Sequence, residues 1–295
     1  MVAAVSGSQQ CRAMLRQTFC HVPGVGIKAE ERLWASGVVS WDAVGDSAAA
    51  GVTARKRESL ARHVEESRRQ LAENNPAFFA ETMPAAEHWR LFREFRDSVA
   101  YVDIETSGLG GYGDHITTIA LYDGRTIRHY VHGQNLADFK RDIRAYPLLV
   151  TYNGKTFDLP FLRAAFGLAL DQAHIDLRYV LAGLGYKGGL KACERSLGLD
   201  RGDLAEVDGY FAVLLWNEYK RRQNVQALET LLAYNIRDVV NLEALLVQAY
   251  NRKVAAVPFG AELVLPPVVA PAEPFKAHEP TVRRLKGGYG LGFQR

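Results

Sequence analysis

Apolar positions recur at two different periods along the chain, and the period first changes near Ser98. Before that point they return every three or four residues, the spacing of one helix face. Residues 9–20 place Met14, Leu15 and Phe19 on one side, residues 27–36 carry Leu33 and Trp34, and residues 86–95 carry Trp89, Leu91, Phe92 and Phe95. Residues 54–73 keep only a thin seam of Leu60, Val64 and Leu71, which Asn74-Asn75-Pro76 stops. From Ser98 the period falls to two. Val99, Tyr101, Asp103 and Glu105 share one face of a predicted strand, and Ala100, Val102 and Ile104 the other. β-rich runs at 116–122 and 126–131 flank Asp123-Gly124, a hairpin dipeptide, and so predict a three-stranded antiparallel meander. Beyond it the pattern predicts a helix over 135–146, a strand over 148–152, a helix over 156–167 and a short strand over 174–177. Helices near 189–198, 208–222 and 224–250 complete the body, the last with Val225, Leu228, Leu232, Ile236, Val239, Leu242 and Leu246 as its buried stripe.

Antiparallel strands followed by helix-linked strands make a mixed α/β sheet. Three regions follow: a helical N-terminal region over 1–97, an α/β domain over 98–250, and a proline-rich stretch over 251–295. The last ends in Arg283-Arg284-Leu285-Lys286-Gly287-Gly288 and is expected to be a flexible tail.

Composition narrows the partners only a little. With 48% hydrophobic and 23% charged residues among 295, the chain is an ordinary globular one. Its net charge of +3 divides as +1 over 1–97, −2 over 98–250 and +4 over 251–295. Bulk charge is therefore no nucleic-acid signature, and such a partner must be argued from sites. The interleaved signs of residues 54–73 suit a solvated face. Cys11, Cys20 and Cys193 are odd in number and lack metal-finger spacing, which points to reduced thiols in the cytoplasm. No run approaches the ~18 apolar residues of a membrane span, so no membrane partner is expected.

The chemistry concentrates on acids. Asp103 and Glu105 point the same way at the end of an apolar strand, where they repel each other and lose hydration. A divalent metal answers this most simply, although a strand end fraying into water has the same spacing. Asp158 lies in Asn153-Gly154-Lys155-Thr156-Phe157-Asp158, where an apolar strand enters Asn-Gly and a helix follows. It suits a helix N-terminus as well as a metal. Tyr234 and Asp238 stand four apart on the last long helix and can reach one small volume, although an edge carboxylate bonded to Arg237 or a backbone group has the same spacing. Asp176 suits a structural role beside them, and Asn153 either touches a substrate sugar or makes the Asn-Gly turn. Lys187, Gly188, Gly189 and Lys191 suit a phosphate at a helix start, but no Gly-Lys-Ser/Thr sequence is present, which excludes a P-loop. Tyr210, Phe211 and Trp216 fit a helix core.

Near the N-terminus, His21-Val22-Pro23-Gly24-Val25-Gly26 precedes a helix, and a glycine turn opening a helix leaves N–H groups for a phosphate oxygen. Residues 19–37 resemble the helix-hairpin-helix element of non-sequence-specific DNA-binding proteins, which implies Gly24 and Gly26 as phosphate contacts. A plain helical corner that touches no nucleic acid has the same pattern.

Asp-x-Glu on a strand, Asn-Gly-x-x-Phe-Asp after a later strand and Tyr-x-x-x-Asp on a final helix, in that order, resemble the three motifs of the DEDD exonuclease superfamily. Tyr234 rather than a histidine ahead of the last acid resembles its tyrosine (DEDDy) branch. With Pro23-Gly24-Val25-Gly26, Leu190-Lys191-Ala192-Cys193-Glu194 and Asp208-Gly209, the whole chain resembles the YprB-like group of predicted RNase H-like exonucleases. The resemblance implies an RNase H-like fold and 3'-5' exonuclease activity on DNA or RNA ends with two divalent ions, Mg²⁺ or Mn²⁺, about 3.5–4 Å apart. Asp103 would bridge both ions, Glu105 and Asp238 would hold the one that generates hydroxide, and Asp158 would support the other through water. Tyr234 would position the attacking water, while Asn153 and Thr106 would contact substrate. Two readings compete: a catalytically silent nucleic-acid-binding module of the same fold, and an endonuclease acting on RNA.

Overall fold

The computed structural model describes residues 13–44, 54–108, 111, 113–205 and 207–290. The long acidic strand β1 (Val99–Thr106) pairs antiparallel with β2 (Ile116–Tyr122), which pairs antiparallel with β3 (Ile127–Val131). On its other edge β1 pairs parallel with β4 (Leu148–Thr151), and β4 pairs parallel with β5 (Ala173–Asp176). The sheet order is β3-β2-β1-β4-β5, so β1 is the central strand and the expected mixed α/β sheet is present. The chain folds as two compact units, Met1–Arg96 with Tyr250–Leu265, and Asp97–Ala249 with Pro266–Arg295.

The first unit holds α1 (Ile27–Ala35), α2 (Ala54–Ala72), α3 (Pro76–Thr82) and α4 (Phe92–Phe95). Over its described part, residues 13–20, the expected helix 9–20 is not formed. A three-residue 3-10 turn, Leu15–Gln17, stands in its place, while residues 9–12, with Cys11, lie outside the described residues. The reason lies in competing hydrogen bonds. The buried Glu30 carboxylate accepts from the N–H groups of Phe19 (2.6 Å) and Cys20 (3.0 Å), and the Trp34 and Trp41 indoles donate to the carbonyls of Gln17 and Thr18. Arg90 neutralises Glu30 at 2.8 Å. Among the described residues, the turn with Gly24 and Gly26 is thus followed by a helix but not preceded by one. Residues 85–91 are likewise a 3-10 helix, and α4 is shorter than predicted. Asn75-Pro76 both ends α2 and starts α3, since proline suits a first helical position and the Asn75 side chain accepts from Phe78 N–H.

In the second unit one face of β1 feeds the first of two cores. Ala100, Val102 and Ile104 pack with Phe139 of α5 (Phe139–Asp142) and with Leu159 and Leu162 of α6 (Asp158–Phe166). The predicted helix 135–146 is broken into two 3-10 turns around α5. After β5 come α7 (Leu177–Ala182), which periodicity did not reveal, α8 (Leu190–Ser196), α9 (Gly209–Arg222) and α10 (Val225–Val254). Phe211, Leu215 and Trp216 of α9 pack with Leu228, Leu231, Leu232 and Tyr234 of α10 in the second core. Tyr210, expected inside, is 56% exposed, and Val225 at the first turn of α10 is 57% exposed.

Within residues 251–295, expected to be a flexible tail, the described residues make several contacts. Glu273 binds Arg237 through both oxygens at 2.5 and 3.0 Å, the Phe275 ring meets His129 edge-on at 5.0 Å, and α11 (Glu279–Gly290) sets Val282 and Leu285 against the second core. Among the described residues no helix is long and apolar enough to cross a membrane.

Candidate active site

A register mismatch creates the site. Parallel pairing of β1 with β4 ends at Tyr101–Val150, yet β1 continues to Thr106. The amide N–H of Ile104 is therefore left without a strand partner, and an orphan buried N–H is costly. Asp158, the first residue of α6, accepts it at 3.1 Å and so sits beside the acidic end of β1. The place is the carboxyl end of the sheet where the chain passes from one side of β1 to the other, the usual position of a binding crevice in an α/β sheet.

Asp176 shapes the turn that delivers Asp158. Its carboxylate accepts from the N–H groups of Asn153 (2.8 Å), Lys155 (3.0 Å) and Arg178 (3.1 Å), the last capping α7. Asn153 takes a left-handed conformation at φ 64°, which asparagine tolerates. Its side chain meets Arg178 and Thr156. Gly154 donates to the Thr151 hydroxyl, and a Cβ there would fall 2.1 Å from that oxygen and 2.6 Å from the Thr151 Cβ. Gly154→Ala is expected to destabilise the protein by about 1–3 kcal/mol, as overpacking does. A melting temperature unchanged from wild type would contradict this.

Helix α10 completes the site from the other face of β1. Asn235, fully buried, donates to Asp103 Oδ2 (2.7 Å) and to the Asp103 carbonyl (3.2 Å), and accepts from the Thr118 hydroxyl on β2 (3.1 Å). This amide bolts α10 to two strands. Asn235→Ala strips the partner from a buried hydroxyl and carboxylate, so denaturant unfolding is expected to show a loss of about 1–3 kcal/mol. The neighbouring Tyr234 and Asp238 are thereby brought to Asp103 and Glu105.

Asp103, Glu105 and Asp238 each offer a carboxylate oxygen, and these oxygens lie within 4.8 Å of one another. Burial pushes the Asp103 carboxyl up to about 7, against Asn235 and Arg201, which hold it down. Glu105 is raised well above the usual carboxylate range by burial and by the charges of Asp103 and Asp158. Asp158 is raised likewise by burial and by Asp103, with the Ile104 amide opposing. Crowded acids, Asp103 half-buried and Glu105, Asp158 and Asp238 buried, form a donor set of hard oxygens that fits a divalent cation. The Tyr234 phenol is raised above its ordinary value by burial and by Glu105 and Asp103, which keeps it a proton donor.

All four acids, with Tyr234, Thr106 and Asn153, line one open cleft of about 760 Å³. Its walls add Tyr152, Phe157 and Tyr186 to Arg178 and Lys187, pairing aromatic surface with positive charge. The Lys191 ammonium lies 5.5 Å from the Tyr234 ring centroid and is pushed down to about 8, mainly by burial. Gly24 and Gly26 belong to the first unit. Sequence reasoning missed Asn235 and Arg201. Asn235 stood inside the motif as a polar residue between Tyr234 and Ile236 on a buried helix, and Arg201 carried no local signal at all.

The profile of the RNase_H superfamily matches residues 100–250. Among solved structures, the family B DNA polymerase of the archaeon Pyrobaculum calidifontis is similar at 17% identity and a TM-score of 0.40, over 57% of this chain and 27% of that one. Brucella melitensis NrnC is similar at 22% identity and a TM-score of 0.37, over 58% of this chain and 82% of that one. A structure described as the apo form of a nuclease is similar at 20% identity and a TM-score of 0.38, over 54% and 74%. This chain thus spans about a quarter of the polymerase and most of the other two. No curated relative matches it.

Proposed function

Because the chain belongs to the RNase H superfamily across residues 100–250, we propose that it is a metal-dependent 3'-5' exonuclease of the tyrosine DEDD type, hydrolysing phosphodiester bonds at nucleic-acid ends. The observation that carries this reading is the trio of Asp103, Glu105 and Asp238, whose carboxylate oxygens lie within 4.8 Å of one another in a cleft that also holds Asp158 and Tyr234. Four carboxylates in one cleft suit a pair of Mg²⁺ or Mn²⁺ ions. When bound, such ions supply an activated water at neutral pH and neutralise charge on the attacked phosphate.

The chain's own groups do the rest. Of these acids Asp103 would be shared between the ions, Glu105 and Asp238 would hold one of them, and Asp158, in the same cleft, would support the other. Tyr234, held protonated, orients the attacking water by donating a hydrogen bond rather than by removing its proton. Arg178 and Lys187 in the cleft wall suit the phosphates of the remaining strand, and Tyr152, Phe157 and Tyr186 offer faces on which unpaired bases stack. The exposed Gly24 and Gly26 before α1 support a separate backbone contact to a phosphate, at a turn that opens a single helix. A reduced, cytoplasmic setting and membership of the YprB-like group belong to the same proposal.

The test incubates the purified chain and Mn²⁺ with 5'-labelled single-stranded DNA and RNA, beside Asp103→Ala. A ladder shortening from the 3' end in the wild type alone is expected. Internal cuts would favour an endonuclease, and no cleavage with retained binding would favour a silent module; either overturns the reading.

A further inference from the structure

Arg201 is the largest commitment of the second unit that the proposed reaction leaves unexplained. It has no place in the three acidic motifs and lies in the short connection between α8 and α9, yet its side chain is only 4% exposed. Withdrawing a guanidinium from water is unfavourable unless its partners are well placed. Here the partners are two carboxylates. Nη1 donates to Glu194 Oε2 on α8 at 2.6 Å, and Nη2 donates to Asp238 Oδ1 on α10. Glu194 is itself fully buried, and its other oxygen accepts from Asn241 Nδ2 at 2.7 Å. Asn241 stands three residues after Asp238 on α10, on the same face. The ring is therefore closed: α10 holds Glu194, Glu194 holds Arg201, and Arg201 returns to α10 at Asp238.

The same guanidinium lies 5.2 Å from the centroid of the Tyr234 ring, so a single planar fork touches both residues of the last motif. The geometry assigns Arg201 as a positioning residue that fixes Asp238 and Tyr234 for the ions, with Glu194 and Asn241 as its anchor; this rests on the reading that Asp238 is a metal ligand. A carboxylate offers two oxygens, and Arg201 engages one, which leaves the other for a cation. Outer partners of this kind orient ligands and typically carry a factor of about 10–100 in metal affinity. Arginine is required because its donors diverge in one plane; the point charge of a lysine cannot serve Glu194 and Asp238 together. Nε of Arg201 makes no hydrogen bond among the described residues, so the two terminal nitrogens do the holding.

The experiment uses the full chain and calorimetric titration with Mn²⁺, alongside kcat and KM on a labelled oligonucleotide. For Arg201→Lys the Mn²⁺ affinity is expected to fall about 10-fold or more, with kcat falling similarly and KM moving less than about 3-fold. Arg201→Ala is expected to regain part of its affinity and kcat when millimolar guanidinium is supplied, a response that a merely structural ion pair does not give. If Arg201→Ala fails to fold, Arg201→Lys and Glu194→Gln carry the test, Glu194→Gln weakening Mn²⁺ in the same direction by a smaller factor. Folded Arg201→Lys that binds Mn²⁺ as tightly as wild type overturns the assignment. Asp103→Ala separates the two claims. If it keeps both binding and activity, the functional reading fails; if it loses both while the Arg201 variants lose neither, only the role of Arg201 fails.

Discussion

Asp103→Asn is expected to abolish phosphodiester hydrolysis, by at least about 10³-fold, while the protein stays folded. The magnitude follows from losing several kcal/mol of charge stabilisation at the reacting phosphate, at about 1.4 kcal/mol for each factor of ten. Asparagine is the informative choice because its side-chain oxygen can still accept from Asn235 Nδ2, as Asp103 Oδ2 does at 2.7 Å. The clamp between α10 and β1 survives, and only the charge goes. Without metal the variant is expected to melt above wild type near pH 8, since one of several crowded acids has been removed. End-labelled substrate measures the first effect and thermal melting the second. Full activity in Asp103→Asn, or melting far below wild type, contradicts the placement of Asp103 at the centre of a charge cluster.

The second large effect concerns pH. In metal-free protein, Asp103 holds its proton up to about 7 when folded, against an ordinary value of 3.8, and Glu105 and Asp158 are displaced in the same direction. Between those two pH values the folded chain keeps a proton that the unfolded chain has released. Stability then falls as pH rises, is highest below the unfolded pKa, and has lost the Asp103 contribution once pH passes about 7. A shift of this size corresponds to a few kcal/mol, on the order of 10 °C in melting temperature for a chain of this length. The groups facing Asp103 set the balance: Arg201 and Asn235 favour its charge, Glu194 opposes it. His21 in the first unit acts in the opposite sense, because burial lowers it from 6.5 to about 3. The comparison is therefore wild type against Asp103→Asn, which leaves His21 untouched. The difference between their melting temperatures should grow from pH 4 to pH 8 in a chelator and shrink in excess Mn²⁺, which binds the deprotonated acids. A difference independent of pH contradicts this account.

Much of the fold was legible because it rests on local periodicity. The alternation from Val99 to Glu105 places Asp103 and Glu105 together whatever surrounds them, and the spacing of Tyr234 and Asp238 does the same on a helix. Asp158 was legible for a related reason, since a strand running into Asn-Gly before a helix leaves few places for the first helical acid. What the sequence did not reveal depends on partners far apart in the chain. Helix 9–20 gives way because Glu30, Trp34 and Trp41 take the hydrogen-bonding groups of residues 17–20. Proline-rich residues 266–276 lie against the second unit through Glu273 and Phe275, contacts that composition does not express. Arg201 is the extreme case. Its partners, Glu194 and Asp238, stand 7 and 37 residues away, and only the packing of α8 beside α10 makes them neighbours.

Asp103, Glu105, Asp158 and Asp238 are proposed to hold divalent ions together. Anomalous diffraction from crystals soaked in Mn²⁺ tests this most directly. Mn²⁺ peaks bounded by these four carboxylates are expected in wild type and are lost in Asp103→Asn. Ordered carboxylates with no peak among them, at Mn²⁺ concentrations that support cleavage in solution, would contradict it.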